Sequence, residues 1–316
     1  MSLLDVKNLK IYYFTLKGVV RAVDDVSFNV REGEVLGIAG ESGSGKSTLG
    51  YGLMMLVPPH GRIVGGNIVV SGRDIVSMDE GTLRREIRWR VISMIFQGAL
   101  NALNPVYTIG KQLVEPIIFH EDVSLKEAYE RAAEMVKLVG LNEDVLRRYP
   151  HELSGGMKQR VMIAMALILR PKIVIADEPT TALDVVIQAQ IMNLFKKIKK
   201  EFNQSIIFIT HDLSLIAEIA DNVAVMYAGK IVEYGNSDNV FNTPKHPYTQ
   251  GLLKSIPRLK SKEKLSWIPG TPPDLRNPPV GCRFHPRCPY VMDVCRREEP
   301  PIKDVGGNHL VACWLY

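Results

Sequence analysis

A glycine-rich run that follows an apolar segment constrains this chain more than any other feature. Residues 40–48 read Gly-Glu-Ser-Gly-Ser-Gly-Lys-Ser-Thr, and the apolar segment 34–39 in front of them predicts a buried strand. Glycines allow the backbone to turn its N–H groups inward, and a helix that begins at Lys46 adds the positive end of its dipole. The full pattern with these flanks is typical of a loop that binds phosphate groups.

The side chains of this loop indicate a nucleoside triphosphate together with Mg²⁺. The charge of Lys46 suits the β and γ phosphates, the hydroxyl of Ser47 suits Mg²⁺, and Thr48 offers a further phosphate contact. The loop residues that we predict to contact the nucleotide are Gly40, Ser42, Gly43, Gly45, Lys46, Ser47 and Thr48.

Two adjacent carboxylates predict where the triphosphate is cleaved. Asp177 and Glu178 stand at the end of the strand-like segment 172–177, and ligand groups of parallel sheets gather at such carboxyl ends. We expect Asp177 to hold Mg²⁺ through water and Glu178 to polarise the attacking water. Strand-like runs alternate with helical ones up to about residue 235, which predicts an α/β fold with a mainly parallel sheet.

Charge and hydropathy narrow the class of protein. Charged residues make up 23% of the 316 residues and the net charge is +5. No apolar run approaches the ~18 residues that would suggest a membrane span. The first residues lack the basic segment and the cleavage site of a signal peptide, so we expect an intracellular protein. No basic stripe is present, and we predict no nucleic-acid partner.

The segment Leu-Ser-Gly-Gly at residues 153–156 resembles the signature motif of ABC ATPases. By itself the segment predicts a capped helix start, which forms a second site for an anion. The resemblance implies that Ser154, Gly155 and Gly156 bind the ATP of a second ATPase subunit. The family's arrangement is a head-to-tail dimer that closes on two ATP molecules.

Three further positions resemble the same family. Gln97 is similar to the Q-loop glutamine, which senses Mg²⁺ and the attacking water and whose loop touches the membrane subunit. Asp184 is similar to the D-loop residue that bridges the two subunits, and His211 to the switch histidine that contacts the γ-phosphate. Gly98 and Ala99 replace the Asp-Pro that often follows the glutamine, which predicts a different surface towards the membrane subunits.

An aromatic side chain before the phosphate loop should stack on adenine. Tyr12, Tyr13 and Phe14 compete for this role. Since Leu9, Ile11 and Tyr13 share one face of a predicted strand, we choose Tyr13.

The last part of the chain carries all four cysteines, with five, six and seventeen residues between them. Clustered thiols in an intracellular protein suggest a metal before a disulfide. An iron–sulfur cluster, zinc and four free thiols all stay open, although the close Cys-x-x-Cys pairs that zinc ribbons prefer are absent. The cysteines are Cys282, Cys288, Cys295 and Cys313.

The sequence around these cysteines resembles the C-terminal extension of oligopeptide and dipeptide importer ATPases. The similar segments are Ile-Pro-Gly-Thr-Pro-Pro at 268–273, Gly-Cys-Arg-Phe at 281–284 and His-Pro-Tyr-Thr at 246–249. The resemblance implies a [4Fe–4S] cluster on the four cysteines. Met157, which follows the signature glycines, makes the segment similar to that of the D-type subunit of these importers. That subunit usually works beside a distinct F-type ATPase.

The resemblance implies an α/β P-loop NTPase fold with an ABC ATPase domain at 1–235, a helical subdomain inserted at about 98–170, and a small irregular, metal-cluster extension at 236–316. It implies the ATP-hydrolysing subunit of a di- or oligopeptide importer. Partners would be the second ATPase, two transmembrane permease subunits and, indirectly, an extracytoplasmic binding protein. The chain would lie peripherally on the cytoplasmic face of the membrane.

Other functions stay open at this point. Related importers carry oligosaccharides or nickel instead of peptides. A soluble ABC ATPase of DNA repair or translation is disfavoured, because such chains usually carry two ATPase cassettes or a long coiled-coil insertion. A metal-sensing module with a vestigial ATPase is disfavoured because every catalytic position is occupied.

Overall fold

The computed structural model describes residues 2–98, 102–255 and 267–316. The chain divides into two compact units. Unit 1 comprises residues 1–76 and 208–316, and unit 2 comprises residues 77–207. No helix in the described ranges has the length and apolar character needed to cross a membrane. This division into units does not test the domain boundaries that the sequence predicts, and those boundaries stay a prediction.

The strands lie in both units and vary widely in length. In chain order they are β1 (Ser2–Thr15), β2 (Gly18–Arg31), β3 (Val35–Ala39), β4 (Gly61–Val70), β5 (Arg73–Asp74), β6 (Ile92–Ile95), β7 (Ile173–Asp177), β8 (Ser205–Ile209), β9 (Asn222–Tyr227), β10 (Lys230–Asn236), β11 (Ile302–Asp304) and β12 (Leu310–Ala312).

The helices are longest in unit 2. In chain order they are α1 (Lys46–Leu53), α2 (Glu80–Thr82), α3 (Ile109–His120), α4 (Leu125–Leu138), α5 (Gly155–Leu167), α6 (Val185–Phe202), α7 (Leu213–Ile219), α8 (Ser237–Asn242), α9 (Pro247–Lys254) and α10 (Asp293–Arg297). A π-helical turn follows α2 at Leu83–Ile87, and short 3₁₀ turns lie at Glu143–Arg147, Pro150–Glu152 and His285–Arg287.

Unit 1 contains an antiparallel sheet in the order β2-β1-β4-β5. Strand β2 shows why it forms: Val26, Phe28 and Val30 are buried, and the residues between them are exposed. This alternation places one face of the strand on the core and the other in water. Residues 26–30 therefore enter the core through every second side chain.

A second sheet of unit 1 carries the strand in front of the glycine-rich loop. Strands β3 and β9 pair in parallel, with Ile38 opposite Ala224, and the order continues through β10, β12 and β11. All five residues of β3 are buried, which matches its continuous apolar sequence. Helix α7 approaches this strand at Gly37, where a Cβ atom would lie 2.3 Å from Ile216 Cγ2.

The C-terminal extension joins β10 through the pairing of β12 and through a buried carboxylate. Glu233 is fully buried and accepts hydrogen bonds from the backbone N–H groups of Lys245 and His246, at 2.7 and 3.0 Å. His309 Nε2 lies 2.7 Å from Glu233 Oε1. A buried carboxylate needs such partners because leaving it unpaired away from water costs several kcal/mol. Glu233 therefore fixes the extension against β10.

Unit 2 combines a short parallel sheet with packed helices. Strands β6 and β7 pair with Ile92 opposite Ile173, and β8 follows β7 in the strand order. The helices begin at polar caps, as the sequence predicts for two of them. The capping side chains are Thr108, Ser124, Ser154 and Asp184, whose oxygens accept from the backbone N–H three residues ahead.

The sequence predicts one helix between Ser124 and Gly140 and a second from Gly155 to Arg170, and both are confirmed with small changes at their ends. Helix α4 begins after Ser124 and ends near Gly140, whose φ of 76° no other residue type adopts as readily. Helix α5 begins after Ser154 as predicted but ends at Leu167 rather than Arg170. Arg170 has a φ of 49°, so the backbone has already left the helix before Pro171.

The close packing of α7 on β3 predicts that Gly37→Ala destabilises unit 1. The added methyl group would overlap Ile216, and overpacking of this kind typically costs ~1–3 kcal/mol. Thermal unfolding should show a lower midpoint for this variant. Gly65→Ala is the matched control in strand β4, because its Cβ would meet only Lys10 Cδ at 3.8 Å. Equal midpoints for the two variants would contradict this account of the packing.

Candidate active site

The glycine-rich loop of unit 1 joins β3 to α1 in the conformation that the sequence predicts. Gly43 and Gly45 have φ values of 78° and 103°. A Cβ atom on Gly45 would lie 2.0 Å from the Ala22 carbonyl oxygen, and one on Gly40 would lie 2.2 Å from the Met226 carbonyl oxygen. Side chains are therefore excluded at both positions, and the backbone forms a narrow cradle in front of helix α1.

The ammonium group of Lys46 lies across this cradle. Lys46 is 5% exposed, and its Nζ donates to the carbonyl oxygens of Gly40 and Glu41 at 2.7 and 2.9 Å. Ser42 and Gly43 are exposed at the tip of the loop. A cradle of backbone N–H groups, a lysine and the start of a helix fit the phosphates of ATP.

The aromatic candidates of β1 have different surroundings in unit 1. The Tyr13 hydroxyl lies 3.3 Å from Thr48 Oγ1, beside the first turn of α1. The Tyr12 hydroxyl donates instead to Asp24 Oδ1 at 2.5 Å, and burial together with this carboxylate raises the pKa of Tyr12 to about 12. The Phe14 ring lies 4.2 Å from the Arg62 guanidinium carbon. Of the three, Tyr13 is the one placed against the helix of the phosphate loop.

His211 lies in unit 1 at the turn between β8 and α7. The N–H of the preceding Thr210 donates to the Ile38 carbonyl at 3.2 Å. Asp212 accepts from the N–H of Ser214 at 2.9 Å and so caps α7. These two anchors hold the exposed His211 beyond the carboxyl end of β3, from which the phosphate loop also starts.

Three predicted residues of unit 2 gather at the end of β7. Asp177 is fully buried as the last residue of the strand. Gln97 Nε2 donates to Glu178 Oε2 at 3.1 Å, although 81 residues separate them in the sequence. Glu178 has a φ of 47°, a backbone conformation that costs a non-glycine residue about 1–3 kcal/mol and is typical of functional sites.

Thr181 is a neighbour of this carboxylate that sequence reasoning missed. Its Oγ1 donates to Glu178 Oε2 at 2.9 Å, and its N–H donates to the Glu178 carbonyl at 3.2 Å. The available signal was the turn-forming Glu-Pro-Thr-Thr sequence, which brings residues i and i+3 together. Gln97 and Thr181 therefore both orient the Glu178 carboxylate.

The signature segment and the D-loop start two neighbouring helices of unit 2. Ser154 caps α5 by accepting from the N–H of Met157 at 3.4 Å, and Asp184 caps α6 by accepting from the N–H of Ile187 at 2.9 Å. A Cβ atom on Gly156 would lie 2.9 Å from Ile187 Cγ2, so glycine allows the two helix starts to approach. Gly155 opens α5. Ser154, Gly155, Gly156 and Asp184 therefore lie on one patch.

The predicted iron–sulfur cluster is not supported. Burial, together with a smaller effect of the neighbouring cysteine side chains, raises the pKa of the Cys282 thiol to about 11. Burial also raises the pKa of Cys288 and Cys313. Across the described part of the chain, no group of three or more His, Cys, Asp or Glu side chains is arranged to hold a metal ion. The expected ligands Cys282, Cys288, Cys295 and Cys313 therefore stay a prediction.

Two sequence families match this chain. The family described as "ABC transporter" matches residues 23–181, which include the phosphate loop and the end of β7. The family described as "Oligopeptide/dipeptide transporter, C-terminal region" matches residues 232–295, which include most of the extension.

Curated relatives are similar along nearly the whole chain. "Oligopeptide transport ATP-binding protein OppD" of Escherichia coli is 49% identical over 99% of this chain and 93% of its own length. The protein of the same name from Bacillus subtilis is 50% identical over 99% of this chain and 88% of its own length. "Dipeptide transport ATP-binding protein DppD" of Bacillus subtilis is 48% identical over 99% of this chain and 95% of its own length.

A solved structure extends the comparison to the fold. The ATP-binding cassette MJ0796, determined as a dimer in a post-hydrolysis state bound to ADP and Pi, is 31% identical with a TM-score of 0.67. The match covers 74% of this chain and 98% of that chain. It shows the mixed α/β fold of an ABC ATPase. The chain therefore belongs to the ATP-binding subunits of the ABC transporter family, in the oligopeptide/dipeptide transporter group.

Proposed function

We propose that this chain hydrolyses ATP to power an ABC importer of dipeptides or oligopeptides. The observation that carries this proposal is the identity of 48–50% with oligopeptide and dipeptide transport ATP-binding proteins over 99% of the chain. Similarity over that length includes both the phosphate loop and the C-terminal extension. The alternatives are an oligosaccharide or nickel importer, and both would use the same ATPase chemistry.

The residues of unit 1 bind the nucleotide in this proposal. Tyr13 stacks on adenine, and the backbone of Gly40, Gly43 and Gly45 with Lys46 holds the phosphates. His211 contacts the γ-phosphate. The positive φ values of Gly43 and Gly45 support this assignment, since glycine backbone in this conformation can turn N–H groups towards phosphate oxygens. Ser42 and Thr48 complete the contacts.

The residues of unit 2 carry the hydrolytic step. Gln97 and Asp177 are the proposed Mg²⁺ ligands of unit 2, directly or through water, and Ser47 is the proposed Mg²⁺ ligand of unit 1. When bound, this ion neutralises charge on the β and γ phosphates. Glu178 accepts a proton from the attacking water, and its orientation by Gln97 and Thr181 supports that role.

The proposed partners follow from the same family. Ser154, Gly155, Gly156 and Asp184 face the ATP of a second ATPase subunit, which we propose to be a distinct F-type paralogue. Val185 and Val186 beside Asp184 are 81% and 66% exposed, which supports an interface at this helix start. Two transmembrane permease subunits complete the importer. The chain would lie on the cytoplasmic face of the membrane, and an extracytoplasmic binding protein would deliver the cargo.

Replacing Glu178 by glutamine separates ATP binding from hydrolysis. Glu178→Gln keeps the size of the side chain but removes the proton acceptor, and a general base typically contributes ~10²–10⁴-fold to the rate. We expect ATP affinity within about twofold of the unchanged chain and kcat at least ~100-fold lower. The measurements are equilibrium titration with ATP and phosphate release from the assembled transporter.

The control for this variant is Glu152→Gln. Glu152 is an exposed carboxylate of unit 2 that accepts from the N–H of Tyr149 at 2.7 Å, and glutamine retains an acceptor oxygen there. Its kcat should stay unchanged. Undiminished hydrolysis by Glu178→Gln would sink the assignment of the catalytic carboxylate.

The cargo can be tested in vesicles that contain the chain with its permeases, second ATPase and binding protein. We expect stimulation of ATP hydrolysis and uptake by short peptides, and neither by nickel ions nor by oligosaccharides. The Glu178→Gln assembly should show no uptake of any cargo. Uptake of nickel or oligosaccharide without peptide uptake would refute the peptide proposal and leave the ATPase assignment intact.

A further inference from the structure

An arginine of the extension forms a two-pronged ion pair with the phosphate loop. Arg287 donates through Nη1 to Glu41 Oε2 at 2.6 Å and through Nη2 to Glu41 Oε1 at 2.9 Å. Its Nε donates to the Pro269 carbonyl at 2.8 Å. The arginine side chain is 5% exposed and the glutamate side chain 27% exposed. Two parallel bonds fix both the distance and the direction of the carboxylate.

Glu41 is tied at each of its polar groups. Its N–H donates to the Tyr248 hydroxyl at 2.8 Å, and its carbonyl accepts from Lys46 Nζ at 2.9 Å. The same carbonyl accepts from the N–H of Ser44 at 3.2 Å. A displacement of Glu41 would therefore move the ammonium group of Lys46 and a backbone N–H of the loop.

Charge gives the ion pair a second effect on the loop. Glu41 is the only acidic residue between 40 and 48, the segment that receives the phosphates of ATP. An unpaired carboxylate there would repel those phosphates, and partial burial would weaken the screening by water. Arg287 cancels that charge.

We propose that Arg287 is a positioning residue for the phosphate loop, through which the C-terminal extension sets the affinity of the chain for ATP. The inference rests on the proposed ATPase function and deepens it. The ion pair holds Glu41, and through its carbonyl Lys46, in the geometry that receives phosphates. Arg287 itself does not touch the nucleotide.

The test compares ATP affinity and turnover for Arg287→Met in the full-length chain. Methionine keeps much of the apolar length but removes the charge and all donors. We expect the Kd for ATP, and the KM of the assembled transporter, to rise about tenfold, which equals ~1.4 kcal/mol. The kcat at saturating ATP should change by less than about twofold, because an affinity effect vanishes once the site is filled. Arg287→Lys should recover part of the affinity, since an ammonium group pairs with the carboxylate less completely.

Arg283→Met is the matched control. Arg283 is another buried arginine of the extension, and it pairs with Asp24 of β2 and donates to the Ala228 carbonyl at 2.5 Å. Both variants should lower the midpoint of thermal unfolding, but Arg283→Met should leave the Kd for ATP within about twofold. Equal loss of ATP affinity in the two variants would overturn the proposal, because it would indicate general loosening of the extension.

A double variant tests the direct pairing. Arg287→Met with Glu41→Gln should bind ATP more tightly than Arg287→Met alone, because the uncompensated carboxylate is gone. Simple additivity of the two single changes would overturn the proposal. Lys46→Ala monitors the nucleotide site: unchanged ATP affinity in that variant would refute the site itself. Loss of affinity in Lys46→Ala together with unchanged affinity in Arg287→Met would refute the positioning role alone.

Discussion

The contact between the glycine backbone and neighbouring carbonyl groups in unit 1 fixes the position of the phosphate loop. Gly40 and Gly45 lie against the Met226 and Ala22 carbonyls so closely that a single methyl group would not fit. These carbonyls belong to strands of two different sheets, so the loop packs against both. Lys46 can therefore stay buried beside backbone oxygens, a position that a flexible loop would not maintain.

The elements that could be predicted are those whose cause is local. Helix α4 begins after Ser124 and ends near Gly140 because a cap, a periodic apolar face and a left-handed residue all lie within a few positions of one another. Strands β3 and β7 were predictable from continuous apolar runs. The loop between β3 and α1 could be predicted from its glycines, since their spacing is typical of phosphate-binding loops.

The interactions that could not be predicted join residues far apart in the sequence. The hydrogen bond between Gln97 and Glu178 links two loops. The family resemblance predicted the role of Gln97, but only the folded structure shows that the two side chains are in contact. The pair of Glu233 and His309 gave no local signal, because a buried carboxylate looks like a surface one in sequence. The cysteines are a different case. They are clustered in the sequence, but among the described residues no group of side chains is arranged to hold a metal ion, so the cluster stays a prediction.

The ion pair of Arg287 and Glu41 also orders events during synthesis. The two residues are 246 positions apart, so at ~5–20 residues per second roughly 12–50 s pass between the emergence of the first and the second. Throughout that interval the glycine-rich loop has left the ribosome without its arginine. The nascent chain thus completes its phosphate loop only after Arg287 has emerged and the extension has folded back onto the loop.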